Sequence, residues 1–253
     1  MTDAHPAQKA VLSFWDARDA AAARQAASGR TDAGRRGAVT AGNHLTGLEE
    51  IVCKEFVDAG FDPSSIRRKT GIELPGFYRP AKKWDVVVLE AGLLVAAIEF
   101  KSQVGPSFGN NFNNRTEEAI GSAVDVWRAY EAGRFGSTRP WLGYFFILED
   151  APESTRPVSL PSTIFPVDPV FDGSSYRDRY LVLCQRLIRE RLYDAACFLT
   201  ATAGPQSTIY EPAEELSFAA FASKIAGRAT EIKSLLDTRA IVPDRTRNDG
   251  YGE

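Results

Sequence analysis

The stretch KKWDVVVLEAGLLVAAIEFKSQ, Lys82 to Gln103, decides how the rest of the chain is read. It is an almost unbroken apolar run of the kind that forms two buried strands. Three charged residues, Asp85, Glu99 and Lys101, nevertheless sit inside it or at its ends. An unpaired buried charge is strongly unfavourable, so something must compensate for these three. The run reads as a hairpin: strand Trp84 to Leu89, connection Glu90-Ala91-Gly92, strand Leu93 to Ser102. That connection pairs Leu89 with Leu93, Val87 with Val95 and Asp85 with Ala97. Side chains alternate faces along a strand, so Glu99 and Lys101 share one face, and Asp85 lies diagonal to Glu99 on the same face. Ala97 is small and leaves Asp85 room. A slip of one residue would turn Asp85 to the other face.

Two carboxylates so placed do not both ionise cheaply unless a cation offsets them. A divalent ion there would polarise a phosphoryl oxygen and acidify a bound water. Lys101 would orient or help deprotonate that water, or stabilise charge growing on phosphate. These are the requirements of metal-assisted phosphodiester hydrolysis. A surface ion pair between Glu99 and Lys101 is the competing, purely structural reading. A Glu-x-Lys triplet alone is weak, since Glu231-Ile232-Lys233 repeats it in a helical pattern without an upstream Asp.

Outward from the hairpin, a helix is predicted over 7–27, with Val11, Trp15, Arg18 and Ala22 at helical spacing. The Gly- and Arg-rich segment Ser28 to Gly42 reads as a mobile connection. A second helix is predicted from Leu45 to Ala59, closed by Gly60, with an apolar stripe of Leu45, Leu48, Val52 and Phe56. Glu49 lies within that stripe, and Glu50 is rotated off it. After the hairpin, QVGPSFGNNFNNR reads as a polar loop, followed by a helix from Thr116 to Ala132. WLGYFFILE, Trp141 to Glu149, reads as a buried central strand whose aromatics are core. Long helices are expected from Tyr176 to Leu199 and from Leu216 to Leu236, then a disordered tail, PDRTRNDGYGE. The pattern implies an α/β fold with a mixed central sheet flanked by helices. It also implies one domain over 1–253: helix and arm (1–42), catalytic core (43–150), helical C-terminal part (151–240) and tail.

Composition limits the chemistry. The 253 residues are 44% hydrophobic and 25% charged, ordinary globular usage. No run reaches the length of a membrane span, and the N-terminus lacks the basic and apolar regions of a secretion signal, so a cytoplasmic protein is expected. Cys53, Cys184 and Cys197, each in an apolar helical pattern, read as buried free thiols. Only His5 and His44 are present, so any metal must be held by carboxylates, which points to a hard cation such as magnesium. His44 reads as a helix-start residue. The net charge of −3 does not advertise nucleic acid. Basic residues are clustered, however, at Arg24 to Arg36 and at Arg67, Arg68, Lys69, Arg79, Lys82 and Lys83. Such clusters are either phosphate-binding patches or solvated surface.

WDVVVLEAGLLVAAIEFKSQ resembles the active-site pattern of the PD-(D/E)xK nuclease superfamily, with Trp84 where its loosely kept proline would stand. The continuation EFKSQVGPSFGNNFNNRTEEAIGSAVDVW, with GNHLTGLEEIV upstream, is similar to the XhoI family of type II restriction endonucleases. The likeness runs over most of the chain and is strongest from Gly42 to Trp127. It implies a magnesium-dependent homodimer that cuts both strands of CTCGAG and leaves 5′ overhangs, with a companion methyltransferase as genetic partner. Carried over, Asp85 and Glu99 become metal ligands and Lys101 the catalytic lysine. Glu49 becomes a further ligand through water, or else a rim residue paired with an arginine.

The loop residues Asn110, Asn111, Asn113, Asn114 and Arg115 offer what base edges demand, Asn for adenine and Arg for guanine, or else they simply build the turn. Gln103 would touch water or phosphate, or be a polar strand end. Arg30, Arg35 and Arg36 would wrap DNA as an arm or form a solvated linker. Arg67, Arg68, Lys69, Lys82 and Lys83 suit phosphate contacts more than base reading. Two other functions compete: a repair or recombination nuclease of the same superfamily without a fixed site, and a non-catalytic DNA-binding protein. A mere binder has no use for a carboxylate pair that repels phosphate.

Overall fold

A computed structural model describes residues 5–27 and 44–241. The expected arm, with Arg30, Arg35 and Arg36, and the expected disordered tail lie outside the described residues. The chain runs through α1 (Gln8–Ala27), α2 (Thr46–Asp58), β1 (Ile66–Arg68), β2 (Glu73–Pro75), β3 (Ala81–Lys83), β4 (Val86–Glu90) and β5 (Leu93–Gln103). It continues through α3 (Phe108–Glu131), β6 (Trp141–Glu149), the single turn α4 (Pro152–Thr155), α5 (Tyr176–Arg189), β7 (Ala195–Ala201), β8 (Ile209–Tyr210) and α6 (Phe218–Ile241).

One mixed sheet of six strands has the order β1-β4-β5-β6-β7-β8, and β2 with β3 form a separate hairpin. Strands β5, β6 and β7 are parallel and the outer pairings antiparallel. The mixed sheet flanked by helices is thus the fold the sequence implied. Both faces are covered, which is why the central strands are apolar on both sides. Along β6, Trp141, Phe145 and Ile147 pack with α1, α2 and α6. Leu142, Tyr144, Phe146 and Leu148 pack with α3 and α5. Both crossover helices, α3 and α5, cover one face, as expected when parallel strands advance steadily with connections of one hand. Among the described residues no helix is long and apolar enough to cross a membrane.

Three sequence expectations are corrected. The β4–β5 turn is Ala91-Gly92 alone, with φ of 46° and 77°, the two left-handed residues of a tight hairpin turn. A bulge then shifts the register between Val88 and Leu89, so Val87 faces Ala97 and Val86 faces Ile98. Asp85 therefore lies opposite Glu99 instead of Ala97. The segment read as a polar loop is mostly helix, because α3 already begins at Phe108. The helix expected from Tyr176 to Leu199 stops at Arg189, and Ala195–Ala201 is the buried strand β7. Cys197 is therefore on a strand, and the part expected to be helical supplies two strands of the sheet. All three cysteines are free; Cys184 and Cys197 are buried and Cys53 is half-buried.

Candidate active site

The site is built where the apolar hairpin meets α3. On β5, Ala97 packs toward α3, and Glu99 and Lys101 follow on that face with the strand's period of two. Glu99 is buried, and its two oxygens are held by the ammonium groups of Lys101 and Lys82. The Asp85 N–H donates to the Ile98 carbonyl at 3.3 Å, and its Oδ2 accepts the Phe100 N–H at 2.7 Å. This fixes Asp85 across from Glu99. Lys101, Glu99, Lys82, Lys83 and Arg79 line an open cleft of about 370 Å³, closed on the far side by Glu117, Glu118, Gly121 and Ser122 of α3.

The electrostatics separate the two carboxylates. Burial and then the Glu99 charge push the Asp85 carboxyl up to about 6 from 3.8; the Phe100 N–H and the two lysines reverse only part of this. Burial would raise Glu99 as well, but Lys101 and Lys82 more than offset it and hold Glu99 below the usual range. Burial would lower Lys101, yet Glu99 and Asp85 raise it above its ordinary value, so it stays an ammonium. The charges in the apolar run thus compensate one another: two carboxylates against two lysines. The donor set fits a divalent ion, since Asp85 is left in an environment that penalises its negative charge.

Lys82 was expected as a phosphate contact. In the structure it is a second cation on Glu99, with its Nζ 4.2 Å from the centre of the buried Trp84 ring. The Trp84 ring therefore helps hold a lysine beside the carboxylate. Glu118, also missed, lies 3.9 Å from Lys101 and holds Arg115 at 2.6 Å. The Arg-x-x-Glu spacing of RTEE was a readable signal for that pair, given a helix.

Other candidates are placed differently. Glu49 is buried on α2 and held by Arg68 of β1, Nε to Oε2 at 3.0 Å, while Glu50 takes Arg68 Nη1 at 3.3 Å. Glu49 thus occupies the arginine-paired position. Arg68 is committed to it, whereas Arg67, Lys69 and Lys83 are exposed. Among the described residues no group of three or more His, Cys, Asp or Glu forms a metal cluster. Gln103, proposed for phosphate or water, is buried and donates to the Val104 carbonyl, which takes it out of solvent. Asn110, Asn113 and Asn114 are exposed on the first turns of α3, and Asn111 and Arg115 are half-buried there. Gly109 lets that helix start close to α5, since a Cβ would lie 2.6 Å from the Tyr176 hydroxyl.

Comparison with known proteins identifies the family. Residues 24–210 match the family described as restriction endonuclease XhoI. The chain belongs to that family. Among its curated relatives, the type II restriction enzyme BstVI of Geobacillus stearothermophilus is 41% identical over 203 residues, covering 77% of this chain and 90% of that one. The type II restriction enzyme XhoI of Xanthomonas vasicola is 44% identical over 188 residues, 72% of this chain and 74% of that one. AbrI of Azospirillum brasilense, also a type II restriction enzyme, is 47% identical over 152 residues, 59% of this chain and 68% of that one. No solved structure matches. As a member of the XhoI family the chain is a restriction endonuclease, a class of site-specific deoxyribonucleases that acts on double-stranded DNA and generally uses divalent metal ions.

Proposed function

We propose that this endonuclease is a magnesium-dependent homodimer that cuts both strands of the palindrome CTCGAG, leaving 5′ overhangs with 5′-phosphates. It would work in the cytoplasm beside a methyltransferase that protects the host genome. A palindrome suits a two-fold dimer, in which each protomer presents one copy of the site to one strand. The observation that carries the catalytic part is the opposition of Asp85 and Glu99 on one face with Lys101 beside them.

Asp85 and Glu99 are the residues that would hold magnesium. The ion would supply the positive charge that lets both carboxylates ionise and that polarises the scissile phosphate. Lys101 remains protonated, so its role is to orient the attacking water and to stabilise charge on the phosphoryl oxygens; it is poorly suited to removing a proton. With a cation on Glu99, Lys82 would be free to contact the backbone phosphate, and exposed Lys83 and Arg67 would position the duplex. Asn110, Asn111, Asn113, Asn114 and Arg115 read the site, helped by α3, whose positive end lies toward them. Arg35 and Arg36, outside the described residues, add phosphate contacts. Glu49 keeps Arg68 in place and acts on the metal, if at all, through water. The domain arrangement is one catalytic unit over 1–253.

The test is plasmid cleavage by Asp85→Asn and Lys101→Met with magnesium, beside duplex binding in calcium. Both variants are expected to lose double-strand cleavage, on the order of 100-fold or more, while still binding the duplex. Cleavage at the parent rate by either variant would refute the assignment.

A further inference from the structure

One feature beside the cleft has no part in holding a metal or a phosphate. The loop Gly76–Pro80 joins β2 to β3 and is clamped from α3 by a single buried carboxylate. Asp125 is only 2% exposed. Its Oδ1 accepts the N–H groups of both Phe77 and Tyr78 at 2.8 Å, and its Oδ2 accepts Arg79 Nε at 2.7 Å. Burial would raise this carboxyl, but Arg79 and the two backbone donors outweigh it and hold it below its ordinary value. Gly76 permits the close approach, because a Cβ there would stand 2.6 Å from both the Arg79 carbonyl and Asp125 Oδ2. At the base of the hairpin, Ile72 and Leu74 are in the core.

This fixed loop holds its two largest side chains out of the protein. Phe77 is 54% and Tyr78 69% exposed, with ring centres 5.0 Å apart and planes at 78°. Neither ring adds to the core, so the buried carboxylate and the glycine maintain a shape that folding does not require. Arg79, Lys82 and Lys83 belong to the same hairpin and line the cleft; Arg79 is paired with Asp125 and Lys82 with Glu99, Lys83 is exposed, and Arg128, paired with Glu131, lies beside the Tyr78 hydroxyl. Exposed aromatics bordered by cations match a partner with flat apolar faces and a phosphate backbone. A second copy of this chain, whose net charge is −3, offers the charge but not stacked planar faces.

We infer that Phe77 and Tyr78 form a rigid wedge that presses on a base step of the duplex next to the scissile phosphate and partly unstacks it. The wedge rests on the reading of the cleft as the cleavage site, because the hairpin that carries it also supplies the cleft's lysines. Aromatic wedges unstack steps so that a bent duplex meets more of the protein. Asp125 is then a positioning residue that fixes the wedge relative to Lys82.

The test uses short duplexes carrying the cleaved sequence with 2-aminopurine at successive positions, bound in calcium so that the DNA stays intact. The parent protein is expected to raise the fluorescence at one step beside the cut. The double variant Phe77→Ala/Tyr78→Ala, which alters only exposed side chains, should lose that rise and bind on the order of 10-fold or more weakly. Restoring the rings as Phe77→Tyr/Tyr78→Phe should restore both. An unchanged signal and affinity in the alanine variant would overturn the wedge. So would conversion of a dimer to monomers without DNA, seen by light scattering, which would make a second copy the occupant. Asp85→Asn keeps the fluorescence rise if the wedge is right. If Asp85→Asn also cleaves normally, the assignment of the cleft fails and the wedge's place beside the cut fails with it; an unchanged signal in the alanine variant, with Asp85→Asn inactive, fails the wedge alone.

Discussion

The environment of Asp85 makes the candidate active site costly to the metal-free fold. Its carboxyl is pushed to about 6 from an ordinary 3.8 by burial and by Glu99. At about 1.36 kcal/mol for each pKa unit, the ionised form destabilises the metal-free fold by roughly 3 kcal/mol. Because the folded pKa lies above the unfolded one, the stabilisation that accompanies the bound proton is complete below about pH 4. It is lost as pH rises through about 6. Asp85→Asn keeps an oxygen for the Phe100 N–H and removes the charge. In chelator at pH 8 the variant should therefore be the more stable protein by roughly 3 kcal/mol. For a chain of this size that corresponds to a melting temperature higher by roughly 6–12 °C. The advantage should shrink steadily toward pH 4. Calcium should shrink it at pH 8 as well, because a cation bound only by the parent stabilises only the parent. Melts followed by circular dichroism across this pH range decide the matter. A variant less stable than its parent at pH 8, or a difference independent of pH, would refute the charge reasoning.

Three further outcomes follow from the same contacts. Lys82→Met leaves Glu99 with one ammonium, so manganese titrated calorimetrically should bind more tightly than to the parent; weaker binding would mean that Lys82 does not compete with the ion. Glu49→Gln should leave manganese affinity unchanged and cost about 1–3 kcal/mol of stability through the weakened Arg68 pair, measured by urea unfolding; a large loss of metal affinity would return Glu49 to the metal. Gly143→Val should destabilise by about 1–3 kcal/mol, because a Cβ there would meet Trp141 at 2.8 Å and Phe221 at 3.0 Å. A neutral effect on the melting temperature would show that the core on that face yields more easily than its packing implies.

The hairpin and its charges were legible because strand periodicity survives errors in the turn. The turn is one residue shorter than expected, and the bulge shifts the pairing by one more residue in the same direction, so the register moves by two and Asp85 stays on the face of Glu99. The end of α5 was not legible. A helix commonly closes on glycine, but here Arg191 takes the left-handed position, φ 56°, and the apolar run of β7 then mimics more helix. The start of α3 was hidden for a related reason. Gly109 and the asparagines are turn formers by composition, yet Phe108 and Phe112 begin the apolar stripe that continues through Ala119 and Ala123. The meeting of Asp85, Glu99 and Lys101 on one face was legible from the strand context and the upstream Asp, not from the Glu-x-Lys triplet alone. Lys82 was not, because it arrives from a separate hairpin, and no local spacing encodes its meeting with Glu99.

If opposed carboxylates and a lysine cut DNA at one sequence with a divalent ion, the ends they leave are discrete and metal-dependent. Digestion of a long, fully sequenced, unmethylated DNA, with magnesium and with chelator, tests it most directly when every end is mapped. Discrete ends at CTCGAG on both strands are expected in magnesium, and none in chelator. Scattered ends, or cutting that persists in chelator, would contradict it.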